Sequence, residues 1–540
     1  MTDSTAPHRV VVVGNGLAGA RLQDEVLRRD PAGERVRVVV YGDEPHPAYN
    51  RILLSTVVAG RLRPEDIGLR PSSWADDHAD RTHLGVSVTG IDRARRTITR
   101  SDGRTDTYDT LVLATGSSAA LPPVPGLRDD DGQPAPGVVT FRTLEDCAVI
   151  AASAGPGSRV VVVGAGLLGV EAARGAALRG AQVTVVHPKT HPMEKQLDRA
   201  GGAVLARVLR ELGMDIALGA RAAAVRHVDG ALQVDLTDGT CVDADLVVVT
   251  AGARPNTDLA VACGLTVGRA VVVDDRLRTS NPHIRAIGDC AEHRGEVYGL
   301  VQPAWEMAAV LADDLCGVDG PAYEGSAVVT RLKAHGIDLA SMGCVETPDD
   351  DETEVLTLSD PTRGRYAKVL VRKDRLIGAV MLGNPEVVGT LGQYFDAGTP
   401  VPSDRMTLLL GHLAGGPAET TSPSTMPDAA VVCRCNTVTK KHLVAAWRRG
   451  CHTTTAMAQA TRATTGCGSC VSAVDGLCEW LHRADPPTAD PPTADPPTAD
   501  PPTADPPTAD PPTADPPTSD PLAPASSPDP RPTSLVRSST

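Results

Sequence analysis

Four cysteines near the far end of the chain have the type and spacing to hold metal: Cys433-x-Cys435, thirty-one further residues, then Cys467-x2-Cys470. Two irons bridged by two sulfides each need two external ligands, and four thiolates complete both tetrahedra. Four thiolates also suit a single tetrahedral zinc ion, although zinc ribbons mostly use Cys-x2-Cys at both ends. Spacing alone therefore leaves an iron–sulfur pair and a structural zinc both open. Six of the twelve cysteines fall between 433 and 478, and in a reducing compartment such crowding marks ligands, not disulfide staples. Cys451 and Cys478 have no ligand spacing and read as small buried residues.

Two glycine triplets carry a second chemistry. RVVVVGNGLAGARL contains Gly14, Gly16 and Gly19, and RVVVVGAGLLGVEAARGAALRGAQVTVV contains Gly164, Gly166 and Gly169. In each, Gly-x-Gly-x-x-Gly joins a strand-like run to a helix-like one. The first glycine permits a tight turn, the second lets a pyrophosphate approach the backbone, and the third lets helix and strand pack, with the helix N-terminus facing the phosphates. Two fingerprints imply two dinucleotides. The strand after the first runs into Asp43 and Glu44, either of which could accept a ribose hydroxyl. The strand after the second ends in His187, with Lys189 beyond it. With no carboxylate there to repel a 2′-phosphate, NADH and NADPH are both admissible.

The elements that must position these residues are legible as a rhythm. Valine runs at 10–13, 36–40, 160–163, 183–186 and 246–249 alternate with glycine turns and Ala-rich stretches, the βαβ pattern of doubly wound α/β domains. From about 322 to 405 the pattern becomes strand-like, and in YAKVLVRKDRLIGAVML two apolar runs flank RKDR as a hairpin. Residues 411–429, rich in Gly, Pro, Ser and Thr, read as a flexible linker. Beyond it Leu443, Val444 and Trp447 recur at helical spacing, and Val471, Val474, Cys478 and Leu481 share a helical face, so helices supply a thin core while loops carry the cysteines. From Ala484 to Thr518 the unit ADPPT occurs seven times. It has no aliphatic side chain larger than Ala to offset the entropy of ordering, so the tail is expected to be disordered and polyproline-like.

Bulk properties bound the rest. A length of 540 residues calls for several domains. Of the net charge of -15, residues 484–540 supply -7 through nine Asp and two Arg, so no nucleic-acid partner is indicated. The N-terminal apolar run is four valines, too short for a signal-peptide core or a membrane span. A cytoplasmic protein without a membrane partner is expected.

Both fingerprints, with YDTLVLATGS (108–117), LVVVTAGARPNT (246–257) and IRAIGDCAEHRG (284–295), resemble the pyridine nucleotide-disulfide oxidoreductase superfamily over about residues 8–320. The resemblance implies FAD at the first fingerprint and NAD(P)H at the second, whose domain is inserted in the FAD domain. It also implies that Ala114, Thr115 and Gly116 line the FAD site, that Gly252 and Gly288 serve the two later motifs, and that Asp289 holds the flavin's ribitol chain. Disulfide-reducing members carry a redox cysteine pair near the flavin. Here the first 146 residues hold no cysteine, and neither Cys-x2-Cys nor Cys-x4-Cys precedes 467, so electrons must leave the flavin another way.

More narrowly, GDEPHPAYNRILLSTVVAG (42–60), MEKQLDRAGG (193–202), YGLVQPAWEMA (298–308) and TRLKAHGIDLASMG (330–343) resemble the reductase half of assimilatory NAD(P)H nitrite reductase large subunits and the flavoprotein subunit of assimilatory nitrate reductases. Several related ferredoxin reductases have Lys after the Leu-Ser of the first stretch. This chain has Thr56, so no Lys–Glu pair is carried over. Glu171 is the catalytic candidate near the nicotinamide and Arg51 a candidate FAD contact, an ordinary helix glutamate and a surface arginine being the competing readings. The cysteine spacing resembles the bacterioferritin-associated ferredoxin-like domain, a small helical fold around a 2Fe-2S cluster.

The expected architecture is α/β. An FAD-binding domain in two parts (8–146 and 254–320) surrounds a Rossmann-like NAD(P)H domain (147–253), followed by an α+β interface domain (321–408), a linker (409–429), a helical 2Fe-2S domain (430–483) and a disordered tail (484–540). The expected activity is electron transfer from NAD(P)H through FAD and the cluster. Nitrite reductase large subunits continue into a half bearing sirohaem and a 4Fe-4S cluster, where this chain has ADPPT repeats. The resemblance therefore implies a separate terminal reductase, a molybdenum nitrate reductase first and a sirohaem nitrite reductase second, and it leaves a homodimer open. Two rivals stand beside this reading: a ferredoxin or rubredoxin reductase with an appended cluster, and an FAD-holding redox sensor or zinc-stabilised regulatory protein.

Overall fold

The computed structural model describes residues 6–486 apart from 71–73, 75–77, 79–80, 229, 411–422, 425, 434–435, 437 and 467–469, together with the side chain of Glu386. Most of the expected linker, and the tail beyond 486, lie outside the described residues. No helix among them is long and apolar enough to cross a membrane.

The first valine runs become the centre of a parallel sheet. Its five strands lie in the order Ile284–Ala286, Thr110–Leu113, His8–Val13, Val36–Tyr41, Thr82–His83. Val10, Val11 and Val12 are fully buried, as expected of a strand covered on both faces, which needs no alternation of polar and apolar residues. Helices Leu17–Arg29 and Val301–Leu315 pack on this sheet.

The second sheet repeats the design in the order Met214–Leu218, Gln182–His187, Arg159–Val163, Leu246–Val249, Val138–Thr140, all parallel. Its fifth strand corrects the expected boundary: by Val138 the chain has already crossed into the second fold, before residue 147. This strand is a three-residue edge strand with only two consecutive valines, too short a run to stand out in the βαβ rhythm, although helix Leu144–Ser153 follows it. The outward crossing is Ser117–Ala119 and the return is Ala253–Pro255, and the two pair antiparallel.

Residues 329–410 form an antiparallel sheet in the order Val329–Arg331, Leu339–Gly343, Arg375–Leu382, Arg365–Arg372, Thr353–Asp360, with helix Val388–Ala397 against it. The RKDR hairpin forms as expected. Lys373 and Asp374 both have positive φ (49° and 57°), the signature of a two-residue turn whose twist matches its strands. This module shares a core with the second dinucleotide fold through Tyr366, Val380 and Leu382. Tyr366 Oη and Lys368 Nζ both donate to Asp198, at 2.7 and 2.9 Å, and Asp198 also caps helix Arg199–Glu211.

The cysteine module holds helices Lys440–Trp447, Thr454–Thr461 and Val471–Ala484 around Leu443, Trp447, Met457 and Leu477. One expectation shifts. Val474, Cys478 and Leu481 are buried, but Val471, the first residue of its helix, is 42% exposed, and Leu477 fills the face instead.

Candidate functional site

Sterics explain each fingerprint glycine separately. A Cβ on Gly14 (φ +116°) would lie 2.2 Å from the Ala114 carbonyl oxygen, and one on Gly19 would lie 2.0 Å from the Gly14 oxygen. A Cβ on Gly16 would meet nothing within 4 Å. The second fingerprint is the same: Gly164 and Gly169 are hemmed in by the Thr250 and Gly164 oxygens at 2.6 and 2.0 Å, while Gly166 faces open space. Turn and helix packing thus exclude side chains at the first and third positions, and the second leaves the room a pyrophosphate needs at a helix N-terminus.

The first turn opens into a cavity of about 770 Å³. Of the expected residues, Gly14, Gly16, Asp43, Glu44, Arg51, Ala114, Thr115, Gly116, Glu171, Gly288 and Asp289 line it, and so does the N-terminal turn of helix Val301–Leu315. Asp289 is pinned on the wall, accepting from Ser117 Oγ and Arg142 Nη2, both at 2.8 Å. Arg142 carries no sequence motif and was not foreseen. Arg51 is a wall residue too, pairing with Glu44 and donating to the Arg142 carbonyl at 3.0 Å. Glu44 also accepts from Tyr49 Oη at 2.7 Å. With Glu44 so engaged, Asp43 is the exposed carboxylate at the rim. Thr115 and Asn256 clasp each other, side chain to backbone, both at 2.8 Å. Asn15 lines the same cavity, and its buried Oδ1 has no hydrogen-bond partner among the described residues. An open Gly16, an orphaned amide oxygen and a fixed carboxylate suit the phosphates and hydroxyl-bearing chain of FAD.

Glu171 sits deep in helix Leu167–Leu178, and its Oε1 accepts the Lys333 backbone N–H at 2.8 Å. Burial pushes its carboxyl up to about 7, while Lys333 and Ser55 pull the other way. A carboxyl held near neutrality in a cavity is suited to exchanging protons. Lys333 was not foreseen as its neighbour.

At the second fingerprint His187 is turned inward. Its Nδ1 accepts from Ala165 N at 3.1 Å, which leaves Nε2 to donate to Glu194 at 3.1 Å. Burial lowers its pKa, with Glu194 opposing. The strand end lacks a carboxylate, as the sequence shows, but the loop carrying Glu194 brings one beside it. Gly252 lies at the return crossing, with φ +116°.

Of the four candidate ligands, Cys435 and Cys467 lie outside the described residues. Cys433 and Cys470 are buried and within hydrogen-bonding reach of each other. The Cys433 thiol is held down at about 6 by Cys470 and by the backbone N–H groups of Asn436 and Thr464, against the cost of burial. N–H groups around a sulfur favour the thiolate, the form that binds metal. Cys478 lies in the module core, its thiol pushed up by burial, and Cys451 is half-buried. The loop ahead of Cys467 rests on the first fold, where Asn50 Nδ2 donates to the carbonyls of Thr465 and Gly466 at 3.0 and 2.7 Å.

Two doubly wound nucleotide folds, one inserted in the other and joined to a thiolate module, define a nucleotide-dependent oxidoreductase. The family model described as pyridine nucleotide-disulphide oxidoreductase matches residues 8–308, and the chain belongs to that family. The models for the rubredoxin NAD+ reductase C-terminal domain and the BFD-like [2Fe-2S] binding domain match residues 329–396 and 431–479. FAD and NAD(P)H are accordingly the dinucleotides, and the cysteine module is of the 2Fe-2S type. The chain is 35% identical over 478 residues to the assimilatory nitrate reductase electron transfer subunit of Bacillus subtilis (strain 168), covering 88% of this chain and 60% of that one. It is 35% identical over 468 residues to a nitrite reductase [NAD(P)H] of the same organism, covering 86% and 57%. It thus spans about 60% of the length of these relatives. A crystal structure of the covalent putidaredoxin reductase–putidaredoxin complex superposes with a TM-score of 0.67 at 28% identity, covering 77% of this chain and all of that one.

Proposed function

We propose that this chain passes electrons from NAD(P)H through FAD to its own 2Fe-2S cluster, and onward to a separate terminal reductase of nitrate or nitrite assimilation. The observation that carries this reading is the seat of the cysteine loop. Thr465 and Gly466, immediately before Cys467, hydrogen-bond to Asn50, whose neighbours Tyr49 and Arg51 line the dinucleotide cavity. The printed names of the relatives supply the nitrogen oxide context.

When bound, FAD supplies the conversion of a hydride's two electrons into single ones, the form an iron–sulfur cluster accepts. The chain's own part is to bind and orient. Gly16 and Gly166 leave the phosphates access to two helix N-termini. Arg142 and Ser117 fix Asp289 for the hydroxyl-bearing chain. Glu171 is the group that holds the proton accompanying hydride transfer.

The test is reconstitution: mix the purified protein with a molybdenum nitrate reductase or a sirohaem nitrite reductase, add NADH or NADPH, and follow nitrate or nitrite. Consumption above the single-component controls is expected, and its absence with both partners sinks the assignment to nitrogen assimilation. The match of residues 329–396 to the rubredoxin reductase domain favours a second reading, reduction of rubredoxin or ferredoxin. Rapid rubredoxin reduction with no nitrogen oxide reductase turnover would select it.

A further inference from the structure

We infer that Asn50 is the positioning residue that seats the cluster-ligand loop against the flavin cavity, deepening the reading above, on which this inference rests. Asn50 is 2% exposed, and its polar atoms are divided between two jobs. Its Oδ1 accepts from Ile52 N at 3.1 Å, starting the turn Arg51–Leu53, and its backbone N–H donates to the Ile67 carbonyl at 2.8 Å. Its Nδ2 is thereby aimed outward, at the Thr465 and Gly466 carbonyls. A primary amide is the short side chain that offers a fixed acceptor for its own turn together with two donor hydrogens for two carbonyls.

A second asparagine mirrors it from the module. Asn436 Oδ1 accepts from Arg21 Nη1 at 2.6 Å, on the helix that carries the first fingerprint. Its Nδ2 donates to the Arg462 carbonyl at 2.6 Å and lies 3.8 Å from Cys433 Sγ. The Arg462 guanidinium pairs with Asp24 of that same helix at 2.7 Å, and Asp24 also holds buried Arg70 at 2.5 Å. Both ends of the cysteine set are therefore tied to the flavin fold by polar and ionic contacts. Such a seam is specific in register, and its half-exposed ion pair weakens with salt.

The experiment uses cluster-loaded holoprotein under anaerobic conditions. Asn50→Asp keeps the size and the Ile52 acceptor but turns an acceptor toward two carbonyl oxygens. Arg462→Ala removes the module's ion pairs to Asp24 and Glu25 and keeps the backbone carbonyl that Asn436 uses. After mixing with NADH, flavin bleaching and the paramagnetic signal of the reduced cluster are timed, and amide hydrogen exchange is read over 462–466. In Asn50→Asp, cluster reduction is expected to slow about tenfold relative to flavin reduction, with faster exchange in the loop, because the Thr465 and buried Gly466 carbonyls lose their donor. Arg462→Ala should leave flavin bleaching at the wild-type rate, slow cluster reduction at low salt and make it less sensitive to salt. Wild-type cluster reduction and exchange in Asn50→Asp, at full flavin and iron content, would overturn the inference. So would equal slowing of flavin and cluster. If wild-type protein itself fails to reduce its cluster, the electron-transfer reading falls, while loop exchange still decides whether Asn50 seats the loop.

Discussion

Replacing Glu171 by Gln isolates the cost of a buried carboxylate. The side chain is 5% exposed, and burial moves its carboxyl from 4.5 to about 7. A rise of two to three pKa units corresponds to ~3 kcal/mol, at ~1.4 kcal/mol per unit. Below the unfolded pKa the group is protonated in both states and contributes nothing to the pH dependence. Between 4.5 and about 7 the unfolded chain has released a proton that the folded one keeps, so stability falls as pH rises. Above 7 the full penalty applies. Gln retains the oxygen that accepts Lys333 N–H but has no proton to lose. The variant should therefore gain on the wild type from near zero at about pH 4 to ~3 kcal/mol at about pH 8. Unfolding of several coupled folds is not two-state, so the comparison is the difference in melting temperature at each pH, paired with infrared detection of the protonated carboxyl. A stability difference that does not change with pH, or a carboxyl band titrating at an ordinary glutamate pKa, would refute the argument.

Gly14→Ala places a methyl 2.2 Å from the Ala114 oxygen at a positive φ and should cost about 2 kcal/mol or more in thermal unfolding. Gly16→Ala meets no protein atom, so the apoprotein should melt as the wild type does while flavin content, read by visible absorbance, falls. Glu194→Gln removes the carboxylate beside His187 and should raise the ratio of NADPH to NADH kcat/KM about tenfold, which steady-state dye reduction measures. Cys433→Ser should abolish bound iron and labile sulfide while FAD is retained, whereas Cys451→Ser should keep both, as iron and flavin assays will show.

Local rules made part of this structure legible, and distance in sequence hid the rest. The valine strands and fingerprint glycines were readable because their constraints lie within one βαβ unit: two-faced burial, and a turn pressed against the next helix. The RKDR hairpin was readable for the same reason. Val138–Thr140 was not, because among the described residues it pairs with Leu246–Val249 alone, more than a hundred residues later. The supporting side chains were hidden likewise. Arg142 meets Asp289, Lys333 meets Glu171 and Asn50 meets Gly466 across separations of 147, 162 and 416 residues, which no spacing rule reaches. Glu194 lies close to His187 in sequence but in an irregular loop, where neither helical nor strand period predicts direction. Val471 was misplaced because the first residue of a helix lacks a preceding turn to pack beside.

The paired crossing strands have a consequence for how such a chain can be assembled. Ala119 lies opposite Ala253, and Ser117 opposite Pro255, so the nicotinamide half enters and leaves through adjacent rungs of one ladder, roughly 5 Å apart. Excising everything between them would leave two ends that a single tight turn could rejoin, with the order of the flavin-side sheet intact. The insert is a cassette with one doorway, yet it reaches back to furnish Arg142 and Glu171 to the cavity wall, so a lineage exchanging it by one splice must keep those two positions for the first cradle to survive.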